Sequence, residues 1–145
     1  MADTAQTYAN HTRWHGPFHF FVLPVMLINV IWAIVLFVKA PNATQGWWIV
    51  VSVALVVLAF LARTYSLKTQ DRIIRLEERL RYRQLLPADL AGQTRALVLG
   101  QMIALRFASD AELEEMVREV LAGRLTKSAQ IKAAVKDWRS DTHRV

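Results

Sequence analysis

Residues Phe18–Val38 read FHFFVLPVMLINVIWAIVLFV, a 21-residue run whose only strongly polar members are His19 and Asn29. Wound as an α-helix it would extend about 31 Å, enough to cross a hydrocarbon core of about 30 Å. Pro24 removes one backbone donor in the second turn, so a mild kink is expected there. A second run, WWIVVSVALVVLAFLA from Trp47 to Ala62, is shorter. Trp47 and Trp48 at one end and Tyr65 at the other match interfacial aromatic anchors and lengthen its reach. The connection from Lys39 to Gly46, KAPNATQG, carries the Pro, Asn and Gly of a turn. These features predict an all-α membrane protein that begins with a two-helix transmembrane hairpin. Two such runs in so short a chain are hard to bury in a soluble core. The first also exceeds the roughly 7–15 apolar residues of a signal-peptide core.

The rest of the chain has a different character. Apolar residues make up 54% of the sequence and charged residues 21%, and sixteen of the eighteen Lys and Arg lie from Arg63 onward. That segregation suits a protein with one half in hydrocarbon and the other in water. Without cysteine there is no disulfide framework, thiolate nucleophile or Cys-based metal site.

Orientation follows from the positive charges near the spans. The connecting turn holds only Lys39. Arg13 precedes the first run, and Arg63, Lys68, Arg72, Arg75, Arg79, Arg81 and Arg83 follow the second. Both termini are therefore expected in the cytoplasm. Asn42-Ala43-Thr44 matches a glycosylation sequon but lies too close to the bilayer for that use.

No helix breaker separates Trp47 from Leu86, so the second span is expected to continue into water as one helix of about 60 Å. Beyond the span, Asp71–Arg75 and Glu77–Arg81 are spaced as i,i+4 ion pairs. Ile73, Leu76 and Leu80 form a short apolar stripe, suited to a partner helix but too brief for a long coiled coil. Seven basic residues against three acidic ones from Arg63 to Arg83 mark the topology and would attract anionic lipid headgroups. Arg13, Trp47, Trp48, Arg63, Tyr65 and Lys68 are the candidate lipid and interface residues. Asn29, Ile73, Leu76 and Leu80 are the candidate partner contacts, Asn29 as a polar link between helices.

Pro87 ends the long helix, and a small bundle of about three helices is expected after it. The first runs from Asp89 to about Phe107. The second opens on a capping box at Ser109-Asp110-Ala111-Glu112, carries Leu113, Met116, Val117, Val120 and Leu121 at helical period, and stops at Gly123. The third presents Ile131, Ala134, Val135 and Trp138. The chain thus divides into an N-terminal cytoplasmic segment (1–17), the hairpin (18–62), a charged juxtamembrane helix (63–86) and a cytoplasmic helical tail (87–145). From Pro87 on, nine basic residues meet eight acidic ones, so the footprint of a nucleic-acid binder is missing.

Three of the four histidines, His11, His15 and His19, fall four residues apart before and at the start of the first span. Gly16-Pro17 breaks the helix that would line them up, because Pro17 belongs in its first turn. No carboxylate lies nearby to complete a metal site. His19 remains a candidate axial ligand for a chlorophyll or haem held with another subunit, since Trp47–Ala62 offers neither His nor Met as a second ligand. The alternative is an interfacial His19 bonded to backbone or lipid, with no cofactor.

Asn10-His11-x-Arg13 with Pro17 and His19-Phe20, followed by Gly100-Gln-x-Ile103-Ala-Leu-Arg-Phe-Ala-Ser-Asp110, resembles a family of small, uncharacterised bacterial two-helix inner-membrane proteins over nearly the whole chain. The resemblance implies a bacterial inner-membrane location and supplies no activity. The residues themselves offer no Ser/His/Asp set, phosphate loop or metal-spaced carboxylate pair. The expectation is a non-enzymatic accessory, scaffold or assembly subunit of a larger membrane complex, such as a respiratory or photosynthetic one. Its partners would be membrane lipids and another membrane protein or further copies of itself.

Overall fold

The computed structural model describes residues 15–140, which leaves His11 and Arg13 outside the described residues. Among them the fold is all-α, with six α-helices and no strand beyond an isolated antiparallel bridge between Ala108 and Trp138. The chain forms two compact units that divide within one helix, after Leu67.

The first unit opens at Pro17, which occupies the first helical position as expected. Pro17–Val22 is wound as a π-helix and leads directly into α1, Leu23–Lys39. The wide turn has a local cause. Pro24 has no N–H to give the carbonyl four residues back, and its ring crowds that carbonyl, so the preceding turn expands. Leu23 N–H accordingly bonds Phe18 O, five residues earlier. Where a kink at Pro24 was expected, the observed feature is this π-helical turn.

After a break at Ala40–Asn42, α2 runs without interruption from Ala43 to Leu85. Asn42 caps it: its side-chain oxygen accepts from Gln45 N–H at 2.9 Å and its amide donates to Ala40 O at 3.0 Å. The residue that matches a sequon therefore begins a helix. Phe18 meets Phe60 edge-on at 6.1 Å between ring centroids, and Asn29 Nδ2 donates to Ser52 Oγ at 2.8 Å. Pro17–Lys39 and Ala43–Leu85 are both long and apolar enough to cross a membrane, and only 6% of either apolar span is buried. Phe20, Ile28, Ile31, Trp32 and Leu58 are all exposed. Core helices of soluble proteins do the opposite.

The second unit comprises the end of α2, then α3 (Ala88–Gln93), a 3₁₀ turn at Thr94–Ala96, α4 (Leu99–Leu105), α5 (Leu113–Leu121) and α6 (Ser128–Ala134). Four short helices stand where about three were expected. The segment from Asp89 to Phe107 is not one helix, because Leu97 and Val98 are extended. Thr94 Oγ1 bonds back to Ala91 O, and Gln101 Oε1 accepts the Val98 N–H, so the break satisfies its own backbone groups. It brings Leu90, Leu97, Met102 and Leu105 into one core with Leu86, Leu113, Val117, Val120 and Ile131. Pro87 does end the long helix. Gly123 ends α5 at φ +76°, a left-handed conformation that favours glycine.

Two further expectations fail for identifiable reasons. The capping box at Ser109–Glu112 does not form: α5 begins at Leu113 without a side-chain cap. Asp110 is held by Arg81, and Glu112 instead accepts the backbone N–H groups of Lys136 and Asp137. The last helix stops at Ala134, short of Val135 and Trp138. Ser109 N–H to Asp137 O and Arg139 N–H to Phe107 O tie that segment to the turn before α5 in extended form.

Candidate functional site

The inward face of α2 in the second unit, with the residue just past its end, is Ile74, Glu78, Arg81, Tyr82 and Leu86. Four of these follow the i, i+4, i+8, i+12 spacing of one helix face. Two charged side chains lie in this buried stripe: Glu78 is 4% exposed and Arg81 7%.

Arg81 crosses to the turn between α4 and α5. Its Nη2 donates to Ala108 O and to Asp110 Oδ1, both at 2.7 Å, and its Nε donates to Asp110 Oδ1 at 2.9 Å. On its own helix Arg81 Nη1 stands 3.5 Å from Glu78 Oε2, an ion pair too long for a strong hydrogen bond. Glu78 Oε2, Arg81 Nη1 and the Tyr82 hydroxyl are sealed from solvent without a close hydrogen bond. Burial pushes the Glu78 carboxyl above the ordinary carboxylate range, against the pull of Arg81 and Arg139. Burial and the neighbouring Glu78 carboxyl likewise hold the Tyr82 phenol in its neutral form.

The surrounding wall continues the arrangement. Arg106 lies over the Phe107 ring at 4.6 Å, and Trp138 packs on the same ring at 4.9 Å between centroids. The segment from Arg106 to Asp110 thus supplies a carbonyl and a carboxylate to the Arg81 guanidinium and an aromatic platform to that of Arg106. This arrangement is a clamp: Nε and Nη2 of Arg81 are spent on Ala108 O and Asp110, and they tie α2 to the turn before α5. The expected Glu77–Arg81 pair is not formed because Arg81 turns inward, and Asp71–Arg75 is not formed either.

Arg81, expected among the charges that orient the chain, instead belongs to this cluster, which the sequence analysis above does not anticipate. The available signal was the spacing of Ile74, Glu78, Tyr82 and Leu86, a core stripe interrupted by one acid.

The other predicted residues lie apart from this cluster. Trp47 and Trp48 are exposed at the start of α2, whereas Arg63, Tyr65 and Lys68 lie further along it. Trp47 and Arg63 are separated by about 24 Å at the α-helical rise. Asn29 meets Ser52, and Ser52 is 2% exposed. Ile73, Leu76 and Leu80 point away from the buried face of α2 and are exposed. His19 Nδ1 is 3.0 Å from His15 O; since a carbonyl can only accept, Nδ1 carries the proton in that bond. His15 Nδ1 accepts the Phe18 N–H at 3.3 Å and so caps the opening turn. Among the described residues, no three His, Cys, Asp or Glu side chains converge to hold a metal ion.

Fold and cluster define an all-α chain with two long apolar helices and a small helical domain closed by a buried arginine. The chain belongs to the Family of unknown function (DUF6526), whose model matches residues 1–145. No curated protein and no solved structure matches it.

Proposed function

We propose that this chain is a two-span bacterial inner-membrane protein that serves as a non-enzymatic accessory, scaffold or assembly subunit of a larger membrane complex. The observation that carries this reading is the outward-facing apolar surface of α1 and of α2 up to Ala62. Such surface is stable against lipid and costly in water. In this reading α1 and α2 form a transmembrane hairpin joined by the Asn29–Ser52 hydrogen bond, with aromatic and basic residues at the interfaces. The excess of Arg and Lys outside the connecting turn orients both termini to the cytoplasm. The tail then presents a rigid helical surface to a partner membrane protein of a respiratory or photosynthetic type of complex. Its buried polar cluster is committed to structure, which supports a role in binding over one in catalysis.

The test is extraction in mild detergent followed by native electrophoresis. Migration in an assembly larger than the chain, with membrane proteins co-purifying, is the expected result. A strictly monomeric species would refute the reading. A second reading is favoured by the His15–His19 hydrogen bond, which orients the imidazole as ligating histidines are oriented. There His19 is the axial ligand of a chlorophyll or haem. An absorption spectrum of the purified protein decides it: a Soret or chlorophyll band lost in His19→Ala supports ligation, and no band refutes it.

A further inference from the structure

We propose that the exposed face of α2 at Ile73, Leu76 and Leu80 binds the same face of a second copy of this chain, in parallel. The inference rests on the membrane anchorage proposed above. These side chains are 52, 61 and 49% exposed, while Ile74, Glu78, Tyr82 and Leu86 occupy the opposite, buried face. The domain core makes no use of the stripe.

The flanking charges identify the occupant. Spacings of three and four place Ile73 and Leu80 at a positions and Leu76 at d of a heptad. Arg72 and Arg79 then fall at g, and Gln70, Glu77 and Gln84 at e. In a parallel pair, g of one helix faces e five residues on in the other. Arg72 therefore meets Glu77 of the second copy, and two-fold symmetry repeats the pair with roles exchanged. Arg79 faces Gln84, so no like charges oppose each other at these flanks. An antiparallel pair would set g against g and bring arginines together. Within the chain, Arg72 and Glu77 make no ion pair with any described residue, so both are available for such a contact.

Two copies inserted in one membrane with the same topology are already parallel. The stripe is bounded by Thr69 and Arg83 at the adjoining d positions, which is too short for a coiled coil between free chains in water. Anchorage compensates by confining the copies and raising their effective concentration.

The chain has no cysteine, so single-cysteine variants report proximity directly. Ile73→Cys, Leu76→Cys, Leu80→Cys and, on the far side, Arg75→Cys are oxidised in native membranes and run without reductant. The expected product is a band at twice the 16.6 kDa chain for the first three and little for Arg75→Cys. Equal bands at all four positions, or none, overturn the proposal. A product of any other mass means that a different protein covers the stripe, and overturns it as well. In the Leu76→Cys background, Arg72→Glu or Glu77→Arg alone should lower crosslinking about five-fold, and the double exchange should restore it. No recovery in the double exchange refutes the parallel register. Carbonate washing of the same membranes separates the two readings: release overturns the anchor and the dimer with it, whereas retention without crosslinks overturns the dimer alone.

Discussion

At the scale of single residues, Arg81 and Glu78 carry opposite lessons about buried charge. Arg81 leaves water but exchanges hydration for three charge-assisted bonds to Ala108 O and Asp110. Truncation in Arg81→Ala would strand Glu78 and the Ala108 carbonyl. It should cost about 3 kcal/mol of stability, seen as a lower thermal midpoint of the detergent-solubilised protein. Asp110→Asn should cost less, because the Asp110 side chain is 64% exposed and water can replace part of its role. Glu78 is buried with poorer compensation and holds its proton to higher pH in the folded protein than in the unfolded chain. Between those two values the folded state binds more protons, so raising the pH favours unfolding. The stability from the neutral carboxyl is complete below its ordinary value of 4.5 and is lost as pH rises through the raised folded value. Glu78→Gln cannot ionise. Thermal midpoints measured across that window should fall with pH in the wild-type protein more than in the variant, and the variant should be at least as stable at neutral pH; an unchanged slope would contradict the assignment.

At the scale of elements, α2 is two helices in chemistry and one in backbone. Its first part is apolar on all sides, while the part beyond Lys68 has one core face and one exposed stripe. Propensity and the lack of a breaker predicted its continuity, and the helix does run unbroken to Leu85. Periodicity found the stripe of Ile73, Leu76 and Leu80 but not which face the tail would cover. That choice is tertiary, since Ile74, Tyr82 and Leu86 offer a second set of three large side chains, on a face that also carries Glu78 and Arg81. By contrast the buried face of α5 and its stop were legible, though not its start, because Leu113, Met116, Val117 and Val120 leave only one face to bury. Leu113 is fully buried, and Leu113→Ala should lower stability by about 3 kcal/mol through lost burial and a residual cavity. Circular dichroism melts would check this, and a change within error of zero would place α5 outside the core.

At the scale of the whole molecule, the two units solve separate problems of solvation. The first exposes apolar surface and satisfies its backbone within helices, which on the reading proposed above is what lipid requires. The second is a small domain whose helices, α3 to α6, are each too short to be stable alone and depend on a shared core. A domain of this size gains from polar ties that define its arrangement, and the 106–110 turn provides several. It bonds Arg81 on one side and the 137–139 segment on the other. The stretch from Gly100 to Asp110, which carried part of the family resemblance, contains this turn.

The sequence by itself determined the helical class, the two long apolar helices, their separation by a turn, the unbroken length of α2 and the stops at Pro87 and Gly123. Each of these follows from local chemistry: hydrophobic length, missing donors and the conformations open to proline and glycine. Only the tertiary structure decided that Arg81 turns inward, that the 89–107 stretch breaks at Leu97, and that Val135–Arg139 leaves the helix to bond the turn before α5. Those outcomes depend on partners twenty or more residues distant in the chain or on filling a common core. A side chain's local spacing cannot state which acceptor will be waiting for it.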